Sequence, residues 1–163
     1  MNESLKTILD IVNDSLKFAE SKNNSLLILI NGVVIGLLTF YDKLFLNTPI
    51  YFVFLIFGFL LSSLLISLLT LYPRIVKISN LGKQSKNKNI FFPGSLCKMT
   101  VQEIANKIKS HDINFELTEF NIDFINQIIA NSIITTAKYN YFKISIQLYI
   151  VSQILLAYIT YKY

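Results

Sequence analysis

The chain has 163 residues, of which 53% are hydrophobic and only 15% are charged, and its net charge is +5. Soluble domains carry about 25% charged residues, so this composition argues against an ordinary soluble domain and favours one domain with lipid-facing segments. One cysteine, Cys97, and one histidine, His111, argue against a disulfide framework, a metal site and a histidine-dependent catalytic centre.

Residues 1–22 are predicted to form an amphipathic N-terminal helix. The segment mixes acidic residues with lysines and has no compact apolar core followed by a small-residue cleavage site, so we do not expect a signal peptide. Apolar side chains recur at the three- and four-residue steps of a helix, at Leu5, Ile8, Leu9, Val12, Leu16 and Ala19.

Three runs without a charged residue predict membrane spans. They cover residues 23–41, 44–73 and 144–161, and a span needs roughly 20 predominantly apolar residues, with a lower limit near 17. The loop between the first two runs is too short for anything but a tight turn, to which Asn47 and Pro49 contribute. We therefore expect a transmembrane helical hairpin over residues 23–73.

The third apolar helix, residues 144–163, completes the predicted fold. It either crosses the membrane or lies along it and packs on the bundle. With it as a span, the fold class is an all-α membrane helical bundle. The bundle then comprises a transmembrane hairpin, a small helical cytoplasmic region over residues 74–143 and a C-terminal transmembrane helix.

The distribution of lysine and arginine predicts the orientation. The stretch over residues 74–98 carries Arg74 and five lysines without an acid, whereas the hairpin loop carries Lys43 beside Asp42. By the positive-inside rule, the N-terminus and residues 74–143 are cytoplasmic and the hairpin loop lies outside. The basic run is also compatible with an anionic ligand or nucleic acid. A loop beside lipid headgroups is the favoured interpretation, and we expect no nucleic-acid polymer as a partner.

The cytoplasmic region is predicted to be helical and non-catalytic. Thr100 and Glu103 form a capping box ahead of one helix, whose apolar face comprises Val101, Ile104, Ala105 and Ile108. A second helix starts near Glu116, with Phe120, Phe124, Ile128, Ile129, Ile133 and Ala137 on one face. The region has no phosphate-binding glycine loop, no HExxH and no G-x-S-x-G. We therefore predict neither an enzyme nor a cofactor.

Small and polar residues inside the spans predict close helix contacts. Small residues recur four apart in three pairs, which are Gly32 and Gly36, Gly58 and Ser62, and Ser63 and Ser67. This spacing lets another helix approach closely. The amides of Asn31, Gln147 and Gln153 also need partners, because an unpaired amide costs several kcal/mol in an apolar medium. These groups pack within one bundle, join protomers of a homo-oligomer or line an aqueous path.

The order of these segments resembles that of a known family. The amphipathic helix runs into "SKNNSLLILINGVVIGLL", the second span ends in "LLTLYPRI", the basic loop leads to "NIFFPG", and "FINQIIANSIITTAKYNYFKIS" precedes the last apolar segment. Over nearly its whole length, the chain resembles the transmembrane effector family of bacterial Pycsar antiphage systems (PycTM). The family's short patterns fall on Asn31–Gly32, Pro73–Arg74, Phe91–Phe92 and Lys138–Tyr139. Pro93 is a departure, because it separates the aromatic pair from Gly94 and puts the shape of that turn in question.

The resemblance implies a specific function. A partner pyrimidine cyclase makes cCMP or cUMP during phage infection, and the effector senses it and impairs the bacterial inner membrane. In this hypothesis Arg74 or Lys138 contacts the cyclic phosphate, and Phe91 or Phe92 stacks on the base, with Tyr139 beside them. The ordinary alternatives are interfacial anchors for Arg74 and Lys138 and core positions for the phenylalanines.

Two other functions fit the same sequence features. One is an accessory membrane subunit, held in a larger complex through the glycine face of the first span. The other is a pore-forming toxin that needs no ligand. An enzyme is the least favoured class.

Overall fold

A computed structural model describes residues 3–72 and 89–162 of the chain. Helices make up 84% of these residues and no strand occurs among them, which confirms the all-α prediction. The helices are α1 (Glu3–Thr39), α2 (Tyr41–Phe45), α3 (Ile50–Leu69), α4 (Pro93–Leu96), α5 (Val101–His111) and α6 (Glu119–Lys162). Arg74 and the basic stretch up to Lys88 lie outside the described residues.

Two of the helices are long because their sequences contain no residue that ends a helix. Helix α1 has 37 residues and no proline, and α6 has 44 residues with neither proline nor glycine. The amphipathic segment and the first predicted span therefore form one helix, as do the second cytoplasmic helix and the third apolar segment. Helices α1, α3 and α6 are each long and apolar enough to cross a membrane.

The chain divides into two compact units. Unit 1 comprises Met1–Ala19 and Arg74–Lys138, and unit 2 comprises Glu20–Pro73 and Tyr139–Tyr163. Helices α1 and α6 therefore contribute residues to both units.

Unit 1 has an apolar core built from α1, α5 and α6. Its fully buried side chains are Leu5, Ile8, Val12, Leu96, Met99, Ile104, Ile108, Ile125, Ile128 and Ile129. The predicted capping box is present: the Thr100 N–H donates to Glu103 Oε2 at 3.1 Å, and the Glu103 N–H donates to Thr100 Oγ1 at 3.3 Å. It holds α5 with Ile104, Ala105 and Ile108 facing the core.

The predicted apolar face of the second cytoplasmic helix is only partly correct. Phe120 is 56% exposed, whereas Ile125, Ile128 and Ile129 are buried. The buried face begins at Asn121, whose amide Nδ2 donates to the Glu116 carbonyl at 2.7 Å. Phe120 therefore lies outside the core-facing side of α6 and stacks on Phe124, with the ring centroids 4.9 Å apart.

Unit 2 contains the helical hairpin and the C-terminal part of α6. The short α2 and Pro49, which precedes α3, connect the two arms of the hairpin. Its buried side chains include Ile30, Ile56, Leu60 and Ile159. Large apolar side chains are also exposed on this unit, among them Ile28 at 74% and Phe54 at 72%. Such exposure is stable where the surrounding solvent is lipid.

Candidate functional site

Unit 1 contains a cavity of about 250 Å³ that is lined by three separate segments. The lining residues are Ser4, Thr7 and Ile8 of α1, Ile90 and Phe91 of the turn before α4, and Ile108 and His111 of α5. Ile8 and Ile108 are each only 1% exposed, and they form an apolar wall of the cavity. The hydroxyl groups and the imidazole are the polar groups of the lining. This is the composition of a small-molecule site, where a few polar groups orient a ligand against apolar walls.

The buried face of α5 determines where His111 lies. Ile108 is buried in the core, and residues three apart lie on the same side of a helix. His111 therefore follows Ile108 to the cavity. The helix stops there, because Asp112 already has extended backbone angles and its N–H still donates to the Ile108 carbonyl at 2.8 Å.

The first turns of α1 supply the hydroxyl groups. Leu5 and Ile8 are buried in the core. Ser4 and Thr7 directly precede them in the helix, and both line the cavity. The Thr7 hydroxyl donates to the Glu3 carbonyl at 3.0 Å. Its lone pairs still accept hydrogen bonds, since a hydroxyl combines one donor with two acceptor sites.

The turn that carries Phe91 is held by side-chain hydrogen bonds. Asn89 Oδ1 accepts from the Phe91 N–H at 2.8 Å, and the Asn89 N–H donates to Ser95 Oγ at 3.1 Å. Phe91 lines the cavity and is nevertheless 53% exposed. Its ring is thus positioned by the backbone and still accessible for stacking.

Phe92 packs on its own turn instead. A methyl group on Gly94 would lie 2.6 Å from Cε1 of the Phe92 ring, so the ring would have to move if any other residue stood here. Pro93 occupies the first position of α4, where a missing N–H leaves no hydrogen bond unmade. The proline between the aromatic pair and the glycine is accommodated in this way.

The other residues predicted to bind ligand lie elsewhere. Lys138 is half-buried at the end of unit 1 and does not line the cavity. Tyr139 belongs to unit 2, where Lys22 Nζ lies 5.9 Å from the centre of its ring and 5.9 Å from that of Phe142. Arg74 is outside the described residues.

Sequence reasoning missed the polar part of the cavity. Ser4, Thr7 and His111 were not selected, because a hydroxyl residue or a single histidine on a helix carries no chemical signature alone. The available signal was positional: Ser4 and Thr7 each precede an apolar residue of the helical repeat, and His111 follows Ile108 by three. Among residues 3–72 and 89–162, no group of His, Cys, Asp and Glu side chains is arranged to hold a metal ion.

A cluster of serine hydroxyls joins α3 to α6 inside unit 2. Ser63 Oγ donates to the Ser145 carbonyl at 2.8 Å, and Ser145 Oγ donates to the Ser63 carbonyl at 2.7 Å. Ser67 Oγ lies 2.7 Å from Ser145 Oγ. All three serines are fully buried. Small residues with mutual hydrogen bonds are how helices associate in lipid, so Ser63 and Ser67 pack within the chain.

The glycine face of α1 has no such neighbour in the described part of the chain. A methyl group on Gly32, Gly36 or Gly58 would meet no described atom within 4 Å apart from its own helix backbone. Asn31 and Ser62 are also exposed. The pair Gly32 and Gly36 and the pair Gly58 and Ser62 therefore lie on open surface. The pair Ser63 and Ser67 instead packs against α6 within unit 2.

The two glutamines of the third span differ in their surroundings. Gln147 is exposed. Gln153 is half-buried and its Nε2 lies 3.5 Å from Ser152 Oγ, at the long limit of a hydrogen bond. A protein surface or lipid headgroup outside the chain would supply Gln147 with a partner.

Comparison with known proteins gives one match. The family model described as "PycTM: Pycsar effector protein domain" matches residues 4–161. No curated protein and no solved structure matches the chain. The match covers the cavity of unit 1 and the apolar helices of unit 2 together.

Proposed function

The chain belongs to the Pycsar effector family, and we propose that it is a cyclic-nucleotide-responsive effector of antiphage defence that impairs the bacterial inner membrane. The observation that carries the proposal is the family match over residues 4–161. Within that range, one unit has a cavity of about 250 Å³ and the other has helices long and apolar enough to cross a membrane.

The proposed signal is a cyclic pyrimidine nucleotide, cCMP or cUMP. Phe91 supports this assignment, because its ring is both accessible and part of a cavity. Arg74 or Lys138 is proposed to contact the cyclic phosphate, with Phe92 as a neighbouring contact. Lys138 is compatible with that role, since a basic group forms strong, charge-assisted hydrogen bonds to phosphate.

The proposed response is assembly in the membrane. A ligand shifts a conformational equilibrium only as far as it binds one state better than the other. Helices α1 and α6 contribute to both units, so a ligand that reorganises unit 1 acts on helices that also build unit 2. The open glycine surface and the exposed Asn31 of α1 are suited to a second copy, which lets polar groups pair away from lipid.

The proposed location follows from the distribution of basic residues. Arg74 and the lysines of the stretch up to residue 98 contrast with the single lysine of the hairpin loop. This contrast supports a cytoplasmic position for the N-terminus and residues 74–143. A nucleotide made inside the cell then reaches unit 1 directly.

Inducible expression in bacteria tests the function. The chain is expressed alone, with an active pyrimidine cyclase, and with the same cyclase inactivated at its active site. We expect growth arrest and loss of membrane potential only with the active cyclase. The amount of the chain in the membrane fraction is measured in all three strains, so that a difference in insertion does not explain a difference in growth.

Each other result points to a different function. Damage by the chain alone would identify a toxin that needs no ligand. Healthy cells in all three strains, with equal amounts of protein in the membrane fraction, would favour an accessory subunit.

A further inference from the structure

We propose that the cavity of unit 1 receives the pyrimidine base of the signal nucleotide while the cyclic phosphate stays outside it. This inference rests on the proposed function and specifies which part of the nucleotide this chain recognises. It assigns binding roles to Thr7 and His111, and it makes Phe91 the stacking residue rather than Phe92.

The size of the cavity limits what it holds. Its volume is about 250 Å³, below the roughly 300–1,000 Å³ of sites that enclose a drug-sized ligand. It therefore accommodates part of a nucleotide. A single-ring base fits this space with less rearrangement than a two-ring purine, so we expect cyclic pyrimidine nucleotides to bind more tightly than cAMP.

The chemistry of the walls determines which part enters. The described lining has isoleucine, phenylalanine, hydroxyl and imidazole groups, and no ammonium, guanidinium or carboxylate. Burying a charged phosphate against such walls without a counter-charge is far more costly than burying a neutral polar ring. The base is the neutral, flat end of the molecule, and it enters first.

The polar groups of the lining match the edge of a base. The Thr7 hydroxyl donates to the Glu3 carbonyl, which leaves its oxygen to accept a hydrogen bond from a base N–H. The ring nitrogens of the His111 imidazole are able to form hydrogen bonds with the edge of a base.

Phe91 is the residue proposed to stack on the base. Asn89 and Ser95 fix its turn through hydrogen bonds of 2.8 and 3.1 Å, so little ordering is needed when a ligand arrives. Base–aromatic stacking changes affinity by about tenfold or more per base. Phe92 packs over Gly94 and does not line the cavity.

The test is equilibrium binding of cCMP, cUMP and cAMP to the purified full-length protein in lipid nanodiscs. Phe91→Ala is compared with Phe120→Ala, because both phenylalanines are exposed in unit 1, at 53% and 56%, and only Phe91 lines the cavity. Thr7→Val is compared with Thr136→Val, because each hydroxyl donates to the carbonyl four residues earlier in its own helix. Circular dichroism checks that each variant is folded.

We expect one pyrimidine nucleotide to bind at least tenfold more tightly than cAMP. Phe91→Ala should weaken its binding about tenfold and Thr7→Val about fivefold. The two control variants should stay within about twofold of the wild type.

Unchanged pyrimidine nucleotide affinity in both folded cavity variants would overturn the inference and leave the proposed function intact. Binding of cAMP as tight as that of the pyrimidine nucleotides would overturn the inference and also contradict the proposed pyrimidine signal. Wild-type protein that binds none of the three nucleotides would instead contradict the proposed function, and the inference with it.

Discussion

The two units of this chain differ in which residue types are buried and which are exposed. In unit 1 many isoleucines and leucines are buried, and Ile104, Ile108 and Ile125 are at most 1% exposed. In unit 2 many of them are outside, and fully buried serines hold two helices together. Each arrangement is stable only in its own surroundings. This difference supports the proposal that water surrounds unit 1 and lipid surrounds unit 2.

The difference follows from what drives packing in each solvent. In water, removing apolar area from the solvent stabilises a core by about 25 cal/mol per Å². In lipid that driving force between helices is absent, so close contact of small residues and hydrogen bonds take its place. The buried serines of unit 2 are contacts of this second kind.

The largest expected effect comes from truncating an isoleucine in unit 1. Ile104→Ala should lower the free energy of unfolding by about 2–5 kcal/mol, because it leaves a cavity in a water-surrounded core. Ile154→Ala, at a position 63% exposed on α6 in unit 2, should change it by less than about 0.5 kcal/mol. Denaturant unfolding of the whole chain in detergent measures both. Equal losses for the two variants would contradict the assignment of water to one unit and lipid to the other.

Self-association should be sensitive to the open glycine face. Gly36→Ile adds bulk where no described atom lies within 4 Å, so the folded monomer should tolerate it. Association in nanodiscs, measured by chemical cross-linking, should weaken about tenfold because the helices no longer approach closely. Ala157→Ile, an equally bulky change at an exposed position of α6, is the matched control. Unchanged cross-linking of Gly36→Ile would exclude this face as the interface between copies.

The serine cluster should contribute a smaller amount to stability. Ser145→Ala removes a hydroxyl that donates to the Ser63 carbonyl and lies 2.7 Å from Ser67 Oγ. We expect a loss of about 1–2 kcal/mol, the range for hydrogen bonds between membrane helices in model peptides. Ser25→Ala, which removes an exposed hydroxyl bonded to its own helix at Ser21, should have almost no effect. Thermal unfolding in detergent gives both values, and a Ser145 effect as small as that of Ser25 would argue against a structural role.

The smallest expected effect is at the turn after Phe92. Gly94→Ala places a methyl group within 2.6 Å of the Phe92 ring, but that ring is 60% exposed and able to rotate away. The free energy of unfolding should fall by less than about 1 kcal/mol. A double-mutant cycle with Phe92→Ala measures the coupling. If Gly94→Ala costs as much without the ring as with it, the close approach is not the reason for the glycine.

Local features of this fold were predictable from the sequence, and pairings between distant segments were not. The charge-free runs and the Thr100–Glu103 capping box depend on neighbouring residues and are found in the structure. Ser145 binds residues about 80 positions earlier, with a sequence separation of 82 from Ser63, and nothing in the local pattern of either segment identifies that partner. Phe120 matched the apolar repeat and is nevertheless exposed, because the repeat alone does not define where the buried face begins.

The candidate site illustrates the same limit. Phe91 was selected from a short pattern, and its place in the cavity depends on α1 and α5, which approach it in the folded chain. Ser4, Thr7 and His111 acquire a possible role only through that approach. A helix repeat identifies the side of a helix that is buried, and it does not identify the groups that meet at the edge of that side.

Dye leakage from liposomes that contain the purified protein tests the central claim most directly. The liposomes receive cCMP, cUMP, cAMP or no nucleotide, and protein incorporation is verified in each sample. A nucleotide-gated effector predicts leakage with a pyrimidine cyclic nucleotide and tight liposomes in the other samples. Tight liposomes in all four samples, or leakage without any nucleotide, would contradict it.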